Sequence, residues 1–198
     1  MIGGIILAAG MSIRMGRPKM ALPWQGGRTV LGQMVHVLRT GGVDLVIVVT
    51  GSDREAVQRG AGGLEVTFVH NEEYATSGMF SSVKKGLHAL EPTDVEAALI
   101  TPGDLPTILP ATVKAMIDKW RETSAEIIAP SYEGRRGHPV LVAKTAWGSI
   151  RALPDGATLR DFFQQERGKL RHVIVDDPGI LRDIDTPENY RQARGEAS

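Results

Sequence analysis

The 198-residue chain contains no cysteine, no excess of charge of either sign and no long apolar run. Without cysteine, the chain can form no disulfide, no cysteine-ligated zinc site and no thiol nucleophile. The 23 basic and 23 acidic side chains cancel, so no overall field attracts nucleic acid or an anionic membrane. No apolar stretch approaches the ~18 residues of a membrane span, and the chain begins with a strand-like run rather than a basic leader. We therefore expect a soluble, cytoplasmic protein that binds neither nucleic acid nor membranes.

The chain also lacks the two best-known phosphate-binding sequences. No G-x-G-x-x-G occurs, and the Walker A spacing is absent, because five residues separate Gly10 from Gly16 and Lys19 follows three positions later. The first apolar run, Ile5-Ile6-Leu7, leads instead into a small-residue loop that carries Arg14 and Lys19. Glycines let backbone N–H groups approach phosphate oxygens, and the two cations neutralise charge. This loop predicts a polyphosphate site of a third kind, and a plain strand-to-helix turn is the alternative.

Apolar strand-like runs alternate with amphipathic stretches along the chain, which is typical of a parallel α/β sheet. The length and the 42% apolar content favour one α/β domain over residues 1–198. We expect a three-layer α/β/α fold with a mostly parallel sheet. Strands are predicted over residues 5–7, 43–50, 64–70, 97–101, 125–129, 140–143 and 170–175. Helices are predicted around residues 30–38, 83–90 and 113–120 and from residues 146 and 159, with residues 60–63 as an ordinary connection.

An acidic turn, Thr101-Pro102-Gly103-Asp104-Leu105-Pro106, follows one of the predicted strands. In open α/β sheets, ligands bind beyond the carboxyl ends of the strands. A carboxylate at that position suits Mg²⁺, which prefers carboxylates together with substrate phosphates. The alternative is an aspartate that only turns the chain by binding its own backbone. The residues alone leave these two interpretations equal.

A second acidic segment, Asp183-Ile184-Asp185-Thr186-Pro187-Glu188, lies near the C-terminus. Thr186 as N-cap and Pro187 at the first helical position predict the start of a helix. Capping explains the last three residues of this segment but not the two aspartates, which occupy alternate positions of a predicted short strand. We expect their side chains to point to opposite faces, so that at most one of them reaches a ligand site.

Two further segments hold polar side chains that suit either a structural or a ligand-binding role. Ser81 and Ser82 lie where an amphipathic helix opens, and either one caps that helix or hydrogen-bonds a ribose or base edge. Gly137-His138-Pro139-Val140 contains an isolated histidine, which either fills space or contacts a ligand. The preceding Arg135 and Arg136 form a solvated turn or assist an anionic substrate.

These segments together resemble one family. The run L-A-A-G-M-S-I-R-M-G-R-P-K is similar to L-A-A-G-x-S-x-R-M-G-x-x-K of the MobA-like nucleotidyltransferases that make the dinucleotide forms of the molybdenum cofactor. Ala9 favours the CTP:molybdopterin cytidylyltransferase branch, because the guanylyltransferase branch more often has L-A-G-G. The motifs T-P-G-D-L-P, G-H-P and D-I-D-T-P-E also resemble the family, and the similarity runs from Ile5 to Tyr190. It implies a Rossmann-like sheet of the nucleotide-diphospho-sugar transferase type.

The resemblance also implies roles for individual residues. The catalytic residues would be Arg14, Lys19 and Asp104, and Mg²⁺ would be bound by Asp104 and by Asp185 in preference to Asp183. His138 would face the acceptor. The nucleotide would be contacted by Leu7, Ala8, Ala9, Gly10, Arg14, Lys19, Ser81, Ser82 and Asp104.

The sequence therefore predicts a Mg²⁺-dependent enzyme that joins CTP to molybdopterin and releases pyrophosphate. No protein nucleophile is needed, because the attacking group is already a phosphate anion. Alternatives are transfer of another nucleotide or to another small phosphate, and a nucleotide-binding regulator without turnover, which the pairing of Asp104 with Asp185 disfavours. An NAD(P) oxidoreductase fits the α/β pattern but lacks its glycine fingerprint. The resemblance also implies a transient contact with a molybdoenzyme or its chaperone.

Overall fold

The computed structural model describes residues 1–154 and 156–195, and within these ranges the chain forms an eight-stranded sheet and seven α-helices. The strands are β1 (Ile2–Ala8), β2 (Leu45–Thr50), β3 (Thr67–His70), β4 (Ala97–Pro102), β5 (Ile127–Tyr132), β6 (Arg135–Arg136), β7 (Val140–Ala143) and β8 (Leu170–Ile174). The helices are α1 (Val30–Thr40), α2 (Arg54–Ala61), α3 (Gly78–Leu90), α4 (Pro110–Thr123), α5 (Trp147–Ala152), α6 (Leu159–Gln165) and α7 (Pro187–Arg194). None of the described helices is long and apolar enough to cross a membrane. The predicted single domain includes residue 155 and residues 196–198, which lie outside the described residues.

The sheet has the order β3-β2-β1-β4-β7-β5-β6, and β8 pairs with β5. The neighbours among β1, β2, β3 and β4 are all parallel. β7 runs antiparallel to β4 and β5, and β6 runs antiparallel to β5, whereas β8 is parallel to β5. Most of the described strands therefore point the same way, and the predicted mostly parallel sheet is confirmed. β1 lies between β2 and β4, so the loop after it leaves the middle of the parallel half.

The two faces of the sheet each carry a hydrophobic core. Ile5 and Ile6 are adjacent in β1, point to opposite faces and are both fully buried. Ile6 packs in the core that contains α1, α2 and α4, and Ile5 packs in the core that contains α3, α5 and α6. Gly86 lets α3 approach closely, since a Cβ there would lie 2.5 Å from Ile5 Cγ2. Each buried side chain of this size contributes about 1.5–3 kcal/mol, and the result is the predicted three-layer α/β/α arrangement.

Several boundaries differ from the sequence-based prediction. Residues 60–63 are predicted as a connection, but Gly60 and Ala61 complete α2, which ends at Gly62 with φ +48°. This helix is easily missed in the sequence, because half of its eight residues are Arg, Glu or Gln and only Val57 and Ala61 on it are buried. β3 begins at residue 67 rather than 64, and β5 lies nearer the C-terminus than predicted. Residues 183–185 form no strand. The predicted start of α7 is confirmed, with Thr186 Oγ accepting from the third residue of the helix.

Candidate active site

Two loops meet at the carboxyl ends of neighbouring strands. The loop after β1 carries Arg14 and Lys19, and the turn after β4 carries Asp104. Because β1 and β4 pair in parallel, both segments leave the sheet at the same edge. In the first loop, Ser12 and Gly16 adopt positive φ angles of 50° and 70° on either side of a short 3₁₀ turn. The backbone N–H of Lys19 then donates to Ser12 Oγ at 3.3 Å, which closes the loop and brings the lysine back over the sheet edge.

The Lys19 side chain joins the two predicted metal ligands. Its Nζ donates to Asp104 Oδ2 at 2.6 Å and to Asp185 Oδ1 at 2.6 Å. Arg14 pairs with the other oxygen of Asp185. The Lys19 side chain is 13% exposed and each carboxylate is 19% exposed, whereas Arg14 is largely in solvent. Short charge-assisted hydrogen bonds of this kind are roughly twice as strong as neutral ones. They hold the loop that carries Arg14 and Lys19 against the C-terminal segment that carries Asp185.

Burial and charge act in opposite directions on the pKa values of this cluster. Burial lowers the pKa of Lys19, but the charges and hydrogen bonds of Asp104 and Asp185 outweigh it and raise that pKa above its ordinary value. Burial likewise raises the pKa of Asp185, but its hydrogen bonds and ion pairs with Lys19 and Arg14 lower the pKa overall. Both groups therefore remain charged at neutral pH.

Asp183 and Asp185 both border the same cavity. The expectation that their side chains point to opposite faces is wrong, because residues two apart share a face in extended backbone. Ile184 between them is fully buried, and its N–H donates to the carbonyl of Asp104 at 3.0 Å. Burial, and then the charges of Asp185 and Asp104, raise the pKa of Asp183. Of the two aspartates, Asp185 makes the contacts with Lys19 and Arg14.

Two adjoining cavities of about 590 Å³ and 180 Å³ open on this cluster, and Lys19 and Asp104 lie on the boundary between them. The larger cavity contains Arg14, Asp185 and His138. The smaller one extends under the end of β1. It is lined by the predicted residues Leu7, Ala8, Ala9, Gly10 and Ser82, together with Tyr74 and Met79, which the sequence does not single out.

Asn71 is a residue of this site that the sequence reasoning misses. It is fully buried, and its Nδ2 donates to Ser81 Oγ at 2.8 Å and to Ser82 Oγ at 3.0 Å. Its Oδ1 accepts from the N–H of Glu73 at 3.1 Å. Ser82 lines the smaller cavity, whereas Ser81 lies outside both linings and also accepts from Ser77 Oγ. An asparagine directly after a strand looks like an ordinary turn residue, so no local signal marks this role.

Asp177 is a second residue that the sequence reasoning misses. Its side chain is buried and accepts hydrogen bonds from Leu109 N at 2.9 Å, Thr112 Oγ at 2.6 Å and Gly179 N at 2.9 Å. The carboxylate thus satisfies a backbone donor at the start of α4 and ties the segment before Asp183 to that helix. Because the partners on α4 are more than sixty residues away, no local pattern indicates the contact.

His138 lies in the wall between the larger cavity and a third cavity of about 560 Å³. Its backbone N–H donates to the Ile180 carbonyl at 3.1 Å, and the chain packs there so closely that a Cβ on Gly137 would lie 2.4 Å from the same oxygen. Burial lowers the pKa of the imidazole, although a backbone hydrogen bond with Ile100 and the charge of Asp104 oppose it. The side chain is therefore neutral at pH 7. The third cavity is largely apolar, with Met79, Phe80, Val83, Val140, Leu159 and Phe163 in its lining.

The site offers two converging carboxylates rather than a complete set of metal ligands. Among the described residues, no three His, Cys, Asp or Glu side chains are grouped so as to hold a metal ion. Asp104 and Asp185 nevertheless share one cation, the Lys19 ammonium, with equal distances of 2.6 Å. Mg²⁺ is usually bound by one or two carboxylates together with substrate phosphates and water. These residues therefore fit a divalent cation that phosphate oxygens and water would also coordinate.

Comparison with known proteins identifies one family, although the relatives in it have names that describe different activities. The chain is 32% identical to the molybdenum cofactor cytidylyltransferase of Escherichia coli (strain K12), over 96% of this chain and 94% of that protein. It is 29% identical to nicotine blue oxidoreductase of Paenarthrobacter nicotinovorans, over 96% and 95%. Rv0371c of Mycobacterium tuberculosis H37Rv, solved in complex with manganese, has a similar fold, with a TM-score of 0.80, 28% identity and 99% of both chains covered. Residues 4–172 match the family model described as the MobA-like NTP transferase domain, and the chain therefore belongs to this family of nucleotidyltransferases.

Proposed function

We propose that this enzyme transfers the cytidylyl group of CTP to molybdopterin in a Mg²⁺-dependent reaction that releases pyrophosphate. The observation that carries the proposal is the position of Lys19 between Asp104 and Asp185, where the cavity under β1 meets the larger one. The name of the E. coli relative supports the nucleotide and the acceptor. The manganese complex of Rv0371c supports a divalent metal.

Arg14 and Lys19 bind the triphosphate in this proposal. Lys19 donates two of its three ammonium hydrogens to Asp104 and Asp185, and these donors bind phosphate oxygens when a metal ion takes the carboxylates. Arg14 is exposed on the cavity side of Asp185 and supplies a planar donor for the outer phosphates. Gly10 borders both cavities, and we therefore assign the phosphates to the boundary between the smaller cavity and the larger one.

The reaction needs no covalent intermediate on the protein. An oxygen of the acceptor phosphate forms a bond to the α-phosphorus of CTP, while the bond from that phosphorus to the β-phosphate oxygen breaks and the electron pair leaves with pyrophosphate. Asp104 and Asp185 would hold Mg²⁺, which neutralises charge on the phosphate oxygens when it is bound. The protein contributes by aligning the two phosphates and by stabilising developing charge with Arg14 and Lys19.

The acceptor occupies the other side of the cluster. We assign the reacting phosphates of the acceptor and of CTP to the larger cavity. The ring system of the acceptor is flat and suits the largely apolar third cavity beyond His138. Because burial keeps His138 neutral, we assign it to contact with the ring rather than to binding of a phosphate. The nucleoside takes the smaller cavity under β1, where Ser82 supplies a hydroxyl group held by Asn71.

Pyrophosphate release with Mg²⁺, tested with each nucleoside triphosphate in the presence and absence of molybdopterin, examines the proposal directly. We expect release with CTP only when molybdopterin is present. Asp104→Asn should lower the rate by about 10²–10³-fold, as removal of a transition-state electrostatic group does elsewhere, while the exposed control Asp118→Asn should match the wild type. Release with GTP instead of CTP would assign guanylyl transfer. No release with any triphosphate would contradict the proposal and favour a regulator without turnover.

A further inference from the structure

Tyr74 is an aromatic side chain in the wall of the smaller cavity, the one under the end of β1. Lys19 and Asp104 line both this cavity and the larger one, whereas Tyr74 lines the smaller one alone. Leu7 and Ala9 share this position with it. The tyrosine therefore borders the part of the cavity that is separate from the charged cluster, where the wall is mainly apolar.

The turn that carries Tyr74 is fixed by hydrogen bonds between β3 and α3. Asn71 follows β3, and its N–H donates to the carbonyl of Thr50 at the end of β2, at 2.9 Å. The N–H of Tyr74 donates to the Asn71 carbonyl at 3.4 Å, and the hydroxyl of Ser77 donates to the Glu73 carbonyl at 2.6 Å. The backbone at Tyr74 is therefore held against the sheet by contacts within the protein.

Gly51 lets the tyrosine approach the loop after β1. A Cβ at Gly51 would lie 2.9 Å from Tyr74 Cβ and 2.4 Å from the carbonyl oxygen of Ala9. Gly51 directly follows β2, which pairs with β1. The absence of a side chain at this position thus brings Tyr74 and Ala9 against the same point of the backbone, and both of them line the smaller cavity.

His70 supports the Tyr74 ring. The two ring centroids lie 6.4 Å apart and the ring planes are tilted by 55°, a geometry that is favourable for aromatic pairs. His70 also contacts Thr50, with 3.4 Å between the imidazole Nδ1 and the threonine Oγ. Because His70 lines neither the smaller nor the larger cavity, it lies behind the tyrosine. Within residues 1–154 and 156–195, no protein group bonds the Tyr74 hydroxyl, so the ring and not the hydroxyl makes the contacts of this side chain.

We propose that Tyr74 is the residue on which the base of the bound nucleotide stacks. The proposal rests on the proposed function for the position of the nucleoside. The base is the flat part of a nucleoside triphosphate and lies farthest from its phosphates, as Tyr74 lies in the part of the cavity that is separate from Lys19 and Asp104. Stacking on an aromatic ring adds affinity for the nucleoside and tolerates any base, because every base has a π face.

Titration calorimetry with two ligands, CTP and inorganic tripolyphosphate, each with Mg²⁺, tests this role in the full chain without turnover. Tripolyphosphate has three phosphates and no base. We expect Tyr74→Ala to bind CTP about tenfold more weakly than the wild type and to bind tripolyphosphate within about twofold of it, since one base–aromatic stack is lost. Tyr74→Phe should keep the wild-type affinity for CTP, because stacking needs the ring and not the hydroxyl. The matched control is Tyr132→Ala at the end of β5, which lines neither cavity and should leave both affinities unchanged.

A loss of the same size for both ligands in Tyr74→Ala would show a structural role and overturn the stacking role. So would no loss for either ligand, or a loss of CTP affinity in Tyr74→Phe as large as in Tyr74→Ala.

The outcomes separate this proposal from the proposed function. If Tyr74→Ala loses CTP affinity selectively but no triphosphate gives pyrophosphate with molybdopterin, the proposed reaction fails and the stacking role stands. If pyrophosphate is released and Tyr74→Ala shows no selective loss, the reaction stands and the stacking role fails. A selective loss with GTP, titrated in parallel, but not with CTP would keep the stacking role and change the base that is transferred.

Discussion

Lys19 lies between the two carboxylates that we assign to the metal, so a cation already occupies the position between them when no substrate is bound. A divalent ion that binds alone must displace this ammonium from Asp104 and Asp185. A triphosphate changes the balance, because its oxygens offer Lys19 new partners. We therefore predict that Lys19→Met binds Mn²⁺ more tightly than the wild type in the absence of nucleotide, and that the same variant binds nucleotide less tightly.

The expected size follows from the contacts. A hydrogen bond between charged groups contributes about 1.5–3 kcal/mol, and Lys19 makes two of them at 2.6 Å with side chains that are 13–19% exposed. The carboxylates regain most of this interaction energy from the bound ion. We therefore take about 2 kcal/mol as the remaining cost of displacing Lys19, which corresponds to roughly a 30-fold change in Mn²⁺ affinity. The effect of nucleotide on Mn²⁺ affinity and the effect of Mn²⁺ on nucleotide affinity should both weaken by this factor, since the coupling between two binding sites is reciprocal.

Titration calorimetry or the electron paramagnetic resonance signal of free Mn²⁺ measures these affinities, with and without a non-hydrolysable CTP analogue. Lys114→Met is the matched control, because Lys114 also pairs with an aspartate, at 2.5 Å, but on the exposed surface of α4. Mn²⁺ affinity of Lys19→Met equal to or weaker than that of the wild type, measured without nucleotide, would refute the reasoning. It would mean that the carboxylates need the ammonium to stay together.

Three further predictions concern other parts of the site. Burial lowers the pKa of His138 below 6.5, so the unfolded chain takes up a proton that the folded chain does not as the pH falls, and the free energy of unfolding decreases on acidification. Between pH ~7.5 and pH ~5.5, the melting temperature of His138→Gln should therefore fall less than that of the wild type. The surface control His36→Gln should show the same fall as the wild type. Asn71→Ala should lower stability by about 1–3 kcal/mol in chemical denaturation, since it leaves the buried Ser82 hydroxyl without its donor, and should raise the KM for nucleotide but not for the acceptor. Arg14→Gln should raise the KM for CTP several-fold more than Arg17→Gln in the same loop; equal effects would contradict the contact of Arg14 with the triphosphate.

Those parts of the site that depend on chemistry within one short segment are predictable from sequence. The loop from Gly10 to Lys19 combines small residues with two cations directly after a strand, and the turn at Asp104 follows a second strand. Parallel strands bring their carboxyl ends to one edge, so both segments are expected to meet, and they do. The convergence of Asp185 on Lys19, across 166 positions of the chain, follows only from the resemblance to a known family and not from any local pattern.

Features that depend on contacts between distant segments are not predictable in this way. Asn71 and Asp177 look like turn residues in the sequence, and their roles come from partners on α3 and α4. Arg136 and Arg160 are a similar case, because they become neighbours only when β6 and α6 pack. The helix α2 is missed for a different reason, since it is short and half of its eight residues are Arg, Glu or Gln, so it lacks the apolar residues that indicate the other helices.

The prediction for Lys19 requires the two carboxylates to stay in place without the lysine, and the backbone provides for this. Ile184, between Asp183 and Asp185, is fully buried and donates its N–H to the carbonyl of Asp104 at 3.0 Å. Upstream, Asp177 connects the same segment to the start of α4 through two hydrogen bonds. Asp104 and Asp185 are therefore adjacent because their backbones are joined, and not because Lys19 attracts both. Removal of the ammonium leaves two nearby anions, which is the arrangement that favours a divalent ion.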